Sequence, residues 1–261
     1  MTTSPNCKIN LGLQVVGRRP DGYHDLQTIF LPVHDLCDRL EITPCDQSSG
    51  AAFGSRISLK GILLDGPAGD NLCIKAWRLL HSEFGIPAAD IRLHKAIPFG
   101  AGLGGGSSDA AFTLRMLNGM FALGLDDAGL ERRAAMLGAD CAFFVKNRPA
   151  YATGIGDCLE PLDVDLAAYR IVIEIPEGEH VSTKEAYAGL RLDTEAPRAD
   201  LREAVRLPIE RWRDLIVNDF EASVFPAHPA IARLKDDMYR RGALYASMTG
   251  SGAAVFGIFP R

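Results

Sequence analysis

The chain has no apolar run long enough to cross a bilayer, no Cys-x-x-Cys pair and no excess of basic residues. Each absence removes a class of protein. A membrane-spanning helix needs about 20 consecutive apolar residues. Zinc sites and redox motifs need closely spaced cysteines and histidines. Here the six cysteines (Cys7, Cys37, Cys45, Cys73, Cys141, Cys158) and six histidines are scattered. That predicts buried free thiols in a reducing cytoplasm and assigns no metal ligands. The formal net charge of −5 argues against a nucleic-acid-binding face, so neither a membrane nor a nucleic-acid partner is expected. Repeats and low-complexity tracts are missing. Met1-Thr2-Thr3-Ser4-Pro5 carries no targeting pattern. What is left, 261 residues at 47% hydrophobic and 23% charged, is ordinary for a globular enzyme of one or two domains.

One stretch stands out: Pro98-Phe99-Gly100-Ala101-Gly102-Leu103-Gly104-Gly105-Gly106-Ser107-Ser108, with five of the 26 glycines. A strand-like run, Ile91 to His94, precedes it, and a helix-like run, Ala110 to Leu117, follows. Glycines ahead of a helix bring backbone N–H groups close to a ligand, and the helix dipole favours an anion there. The pattern therefore predicts a phosphate loop, with the serine hydroxyls as further donors. It is not a Walker-type loop, because Gly106 is followed by Ser107 and no lysine lies in the stretch. A dinucleotide fingerprint matches literally at Gly100, Gly102 and Gly105. Its ribose-binding acid would be Asp126, which follows a poor strand and looks more like a helix cap.

Lys8 to Val16 alternates polar and apolar as a half-buried strand does, with Ile9, Leu11 and Leu13 inward and Lys8 and Asn10 on the other face. Pro20-Asp21-Gly22 is a turn, after which Tyr23-His24 sets an aromatic ring beside an imidazole. Residues 42–66 read as strands broken by a loop at Gln47–Gly50. Asp70-Asn71 can cap a helix with Leu72, Ala76, Leu79, Leu80 and Phe84 as its apolar face, closed by Gly85. A further helix starts near Asp126, shows Leu130, Ala134 and Leu137, and ends at Gly138. Tyr169 to Ile175 is a strand, and Ser182 or Thr183 can cap a helix through Leu190. Residues 193–214 are charged and read as exposed helices and loops, with Pro197 and Pro208 among them. His228 to Arg241 reads as a helix with Ile231, Leu234 and Met238 on one face. Two final strands flank the glycine turn Thr249–Gly252.

The Pro98–Ala111 stretch resembles the central motif of the GHMP kinases, a family of small-molecule kinases. Lys8-Ile9-Asn10-Leu11, Gly138-Ala139-Asp140 and Thr249–Gly252 resemble its other motifs, in the right order along the chain. The resemblance implies an α+β, two-domain GHMP kinase fold. An N-terminal domain with the ATP loop would cover 1–153 and a C-terminal ferredoxin-like α/β sandwich 154–261. It implies ATP and Mg²⁺, with Pro98 to Ser108 around the phosphates and Lys8 and Asp140 as the catalytic pair. Within the family, Lys8-Ile9-Asn10-Leu11 together with Asp21-Gly22-Tyr23-His24 is similar to the pair of motifs in a member whose acceptor is a cytidine diphosphate derivative of methylerythritol, an isoprenoid precursor. That likeness assigns Asn10, Tyr23, His24, Phe30, Thr183 and Tyr187 to the acceptor, with Tyr187 opposite Tyr23 across the cytosine. A cytoplasmic monomer or weak homodimer is expected. A homoserine or mevalonate kinase would keep the loop without needing Tyr23-His24. A Rossmann oxidoreductase would bind NAD(H), and an RNA binder of related fold should be basic.

Overall fold

A period of two in the apolar residues makes strands such as Ala89–Lys95, and an Asn71 cap with a glycine stop at Gly85 delimits the helix before it. The structure is a computed structural model and describes residues 1–45, 55–62, 67–190 and 198–261. The expected loop at Gln47–Gly50, and Pro197, lie outside the described residues. In chain order the elements are β1 (Thr2–Thr3), β2 (Asn6–Arg18), β3 (His24–Cys37), β4 (Arg39–Pro44), β5 (Arg56–Gly61), α1 (Leu72–Phe84), β6 (Ala89–Lys95), α2 (Gly105–Met120), α3 (Asp127–Ala135) and α4 (Phe143–Lys146). There follow β7 (Ala150–Thr153), β8 (Cys158–Pro161), β9 (Tyr169–Glu174), α5 (Thr183–Ala188), α6 (Leu201–Ala204), α7 (Trp212–Leu215), α8 (Phe220–Val224), α9 (Pro229–Arg240), β10 (Tyr245–Met248) and β11 (Val255–Pro260). The chain forms two compact units.

The first unit comprises Met1–Cys7, His34–Phe99 and Gly104–Asn147. Its sheet runs β1-β4-β6-β5, with β4 antiparallel and β5 parallel to β6. Leu40, Ile42, Ile91 and Leu93 are buried on one face, while Arg39, Arg92 and His94 are exposed on the other. The Asn71 side chain caps α1 by accepting from the Cys73 N–H, and Gly85 ends it in the left-handed region at φ 65°. The buried face of α1 is Cys73, Ile74, Ala76, Trp77 and Leu80. Phe84, expected inside, is exposed. The face is turned toward Trp77, whose indole N–H donates to the Pro87 carbonyl at 3.0 Å. Ala110, Ala111, Leu114 and Leu117 line the buried side of α2 as expected. Asp126 caps α3 by accepting from the Gly129 N–H at 2.7 Å, which accounts for that residue without a dinucleotide.

The second unit comprises Lys8–Val33, Gly100–Leu103 and Arg148–Arg261. One sheet has the order β2-β3-β7-β8 and another the antiparallel order β10-β11-β9. Leu13, Val15, Phe220, Ile231, Met238, Val255 and Phe259 share a core with Val181 and Ala186 of the α5 region. Segment 198–216 corrects the expectation of an exposed stretch: Leu201, Ile209, Trp212 and Ile216 are all buried. Part of the reason lies on β2. Gly12 adopts φ 69°, and a Cβ there would sit 2.8 Å from Leu201 Cδ2 and 3.0 Å from Ile216 Cγ2. A missing side chain on the strand makes room for a helical segment that looks polar in sequence. Among the described residues the cysteines are free thiols, with Cys7, Cys73 and Cys141 buried.

Candidate active site

Alternation along β2 predicts one buried face, yet both are buried. Ile9 and Leu11 lie inward, while Lys8 is 3% and Asn10 2% exposed. The cover comes from distant chain. The Lys8 N–H donates to the Leu103 carbonyl at 3.0 Å, and the Asn10 N–H donates to Thr249 Oγ1 at 3.0 Å. Lys8 Nζ donates to Asn10 Oδ1 at 2.7 Å and stands 4.9 Å above the Phe30 ring. Asn10 Nδ2 donates in turn to Thr28 Oγ1 at 2.9 Å, and Thr28 to the Gly12 carbonyl. A buried charge is tolerated only where it is hydrogen-bonded. Here that requirement fixes the ammonium in one position. Phe30 is buried beneath it.

The glycine loop divides by function. In the second unit Gly100 and Gly102 take φ 68° and 77°, while Ala101 and Leu103 point inward and are buried. A Cβ on Gly102 would lie 2.1 Å from the Thr249 carbonyl, so only glycine permits this approach. Phe99 is 72% exposed, and Pro98 is half-buried. The turn that Gly102 meets is held from its other side: Asn218 Nδ2 donates to the carbonyls of Met248 (2.8 Å) and Gly250 (2.9 Å).

In the first unit Gly104 opens α2 with no side-chain cap. The first N–H groups of a helix have no intrahelical partner and favour an anion. Gly105 lets the helix start against the segment just after β6, since a Cβ would meet Ile97 Cγ2 at 2.8 Å. Gly106 and Ser107 are half-buried, and Ser108 is buried with no partner for its hydroxyl.

Behind this helix start lies a buried cluster that the sequence reading missed. Lys95 Nζ donates to Asp38 Oδ2 and, at 2.7 Å, to Asp109 Oδ2. Asp38 Oδ1 also accepts from the Ala96 and Ile97 N–H groups. Burial pushes the Asp109 carboxyl up to about 7. Lys95 opposes that rise and the Asp38 charge adds to it. Its Oδ1 has no partner. Asp38 and Lys95 stand 57 positions apart and Lys95 and Asp109 14, so no local pattern signals the cluster.

Asp140 is half-buried in the same unit, in a turn closed by the Cys141 N–H on the Gly138 carbonyl at 3.1 Å. Buried Phe143 and Phe144 follow. The Cys141 thiol, pushed up to about 11 chiefly by burial, is hydrogen-bonded by Ser107. The Asp140 turn is thereby tied to the end of the glycine loop.

The remaining expected residues all lie in the second unit. The Tyr187 ring stacks on His24, with centroids 4.6 Å apart and 19° between planes, and meets Phe220 edge-on at 4.8 Å. Tyr23 is 60% exposed, so Tyr187 is paired with its neighbour rather than with Tyr23 itself. Ser182 caps α5 by accepting from the Glu185 N–H at 3.1 Å, which settles the choice between the two candidate caps. Thr183 Oγ1 lies 3.3 Å from Ser251 Oγ of the glycine turn. The second unit thus joins a fixed ammonium, a glycine approach and an aromatic pair. The first presents a helix start and a carboxylate.

Comparison with known proteins agrees with this chemistry. Residues 71–148 match the family described as GHMP kinases N terminal domain, and 201–261 that described as GHMP kinases C terminal. A Bacteroides fragilis protein named 4-diphosphocytidyl-2-C-methyl-D-erythritol kinase is 47% identical over 259 residues, covering 99% of this chain and 92% of its own. A Parabacteroides distasonis protein of the same name is 48% identical, covering 100% and 92%. A crystal structure of 4-(cytidine 5'-diphospho)-2C-methyl-D-erythritol kinase is similar with a TM-score of 0.81 at 33% identity, over 99% of this chain and 90% of that one.

Proposed function

The chain belongs to the GHMP kinase family, and we propose that within it the protein phosphorylates the 2-hydroxyl of 4-diphosphocytidyl-2-C-methyl-D-erythritol, a step toward isoprenoid precursors. It is an ATP-dependent kinase acting on a small molecule. The observation that carries the substrate is the Tyr187–His24 stack beside the exposed Tyr23. A flat pair with an imidazole able both to donate and to accept suits a pyrimidine base. Relatives sharing nearly half their residues over the whole chain bear that substrate in their names.

Phosphoryl transfer needs alignment and charge neutralisation more than covalent help. Gly100 to Ser108 hold the triphosphate with backbone N–H groups, and Phe99 and Pro98 flank it. Asp140 accepts or orients the proton of the acceptor hydroxyl. Lys8, held by Asn10, neutralises charge on the γ-phosphoryl oxygens. His24 and Tyr187 bind cytosine with Tyr23, and Thr183 meets the diphosphate end. Asn10 acts through Lys8, and Phe30 supports the lysine from below.

Among the described residues no group of three or more His, Cys, Asp or Glu side chains is placed to hold a metal ion. The buried Ser108 hydroxyl without a partner and the uncapped helix start suit a phosphate group and its counter-ion. Ser107 or Ser108 would touch a Mg²⁺ ion accompanying ATP, which would neutralise phosphate charge during transfer. The family's two domains divide at 153/154 in this reading, and the protein works as a cytoplasmic monomer or weak homodimer.

An ADP-release assay with Mg-ATP tests the proposal, with the cytidine substrate, homoserine and mevalonate offered in parallel. Release with the cytidine substrate alone is expected. Release with another alcohol overturns the assignment of Tyr23, His24 and Tyr187. Asp140→Asn is expected to abolish turnover while both substrates still bind. Near-normal activity in that variant removes Asp140 from the chemistry.

A further inference from the structure

One imidazole ties down the segment that carries Thr183 and Tyr187. His228, just ahead of α9, places Nδ1 2.6 Å from Glu179 Oε2 and Nε2 3.1 Å from Glu185 Oε1. Glu179 lies in the loop leading to α5, and Glu185 lies in α5 itself. The His228 side chain is only 16% exposed, and its backbone N–H donates to the Val224 carbonyl of α8 at 2.8 Å. The ring is therefore anchored on α8 and reaches both ends of the segment.

Ionised carboxylates only accept hydrogen bonds, and a neutral imidazole donates from one nitrogen alone. A bridge from one ring to two carboxylates needs the imidazolium. The charged groups facing it are Glu179 and Glu185, with His180 acting on Glu185. The hydrogen bonds to Glu179 and Glu185 raise the His228 pKa above its ordinary value. The Glu185 carboxyl is lowered, first through its bond to His228.

We propose that His228 is a positioning residue for the acceptor: as an imidazolium it clamps the Glu179–Glu185 stretch and so presets Tyr187 against His24. This rests on the reading of that segment as acceptor-binding. Loss of the proton releases one carboxylate. The Ser223 Oγ bond to the Ala186 carbonyl at 2.8 Å and the edge of Phe220 on Tyr187 still retain α5. The segment therefore loosens without unfolding. The effect falls on acceptor binding, and ATP binding is left alone.

The test measures KM for the cytidine substrate and for ATP from about pH 6 to about pH 9, spanning the range above the ordinary histidine pKa. Wild type, His228→Asn and Glu179→Gln are compared. In the wild type the acceptor KM rises roughly three- to tenfold with pH, the order of losing part of one charge-assisted hydrogen bond. His228→Asn shows the high value at every pH, and Glu179→Gln moves the rise to lower pH. The ATP KM follows one course in all three. NMR titration of His228 supplies a readout that needs no variant: by linkage, bound acceptor raises its pKa further. Identical acceptor profiles in wild type and His228→Asn overturn the clamp, and so does a titration that acceptor leaves unmoved. A protein that turns over no cytidine substrate overturns the function itself, so the two failures are distinct.

Discussion

The Tyr187 ring lies flat on His24, 4.6 Å away and 19° from parallel, although 163 positions of sequence number separate them. The two rings are in direct contact, and Tyr23 is exposed next to His24 in sequence. Tyr187→Ala and Tyr23→Ala are each expected to raise KM for the cytidine substrate by about 5- to 100-fold, since stacking on a base is worth ~1–3 kcal/mol. The ATP KM should stay within about twofold. Equal effects on both substrates would argue against a cytosine platform.

Gly102 is the tightest point of the loop. Gly102→Ala forces a Cβ to 2.1 Å from a backbone carbonyl at φ 77°. The expected loss is about 1–3 kcal/mol of stability, with a fall in kcat/KM. Gly119 in α2 is the control, because nothing lies within 4 Å of its Cβ position. Gly119→Ala should stabilise by about 0.5–1 kcal/mol. Thermal melts of both variants decide the matter, and a Gly102→Ala protein melting with the wild type would refute the close-approach account.

Asn218 uses its whole amide: two donations to Met248 and Gly250, and acceptance from the Phe220 N–H at 3.0 Å. Asn218→Ala leaves buried backbone groups without partners, at a cost of about 2–3 kcal/mol. Urea unfolding should show a lower midpoint at unchanged slope. An unshifted midpoint would mean that water replaces the amide at no cost.

Asp109 gives the pH prediction. Its folded pKa, about 7, lies above the ordinary 3.8. The folded protein therefore holds this proton more tightly than the unfolded chain. The group favours folding below pH 3.8, and that advantage is lost as pH rises to about 7. Asp109→Asn removes the titration and keeps an oxygen for Lys95. Its stability relative to wild type should increase with pH across this window and then level off. A constant difference between the two proteins would show that the carboxyl ionises normally.

Local rules made much of the fold legible. The strand at Ile91–His94, the Asn71 and Asp126 caps, the stop at Gly85 and the Ala110–Leu117 stripe depend on neighbours a few residues away. So does the glycine loop. What escaped was set at long range. Lys8 and Asn10 read as one polar strand face, because the Leu103 carbonyl and Thr249 that cover them are far off in sequence. Residues 193–214 read as exposed, because the room that Gly12 makes for Leu201 is set far off in sequence. Lys95, Asp38 and Asp109 were not singled out in the sequence, because only the folding of β6, α2 and the residue ahead of β4 brings them together. Motif resemblance reached Lys8 and Asp140, and it said nothing of what holds them.

Asn10 and Thr249, whose backbone and hydroxyl meet at 3.0 Å, are 239 positions apart. During synthesis the strand that carries Lys8 and Asn10 waits for 239 further residues before this contact can close. A nascent chain that stops short of Thr249 leaves the Asn10 N–H without this partner, however well the segments between have folded. Proteolytic trimming past either of these two positions removes that contact, however intact the middle of the chain.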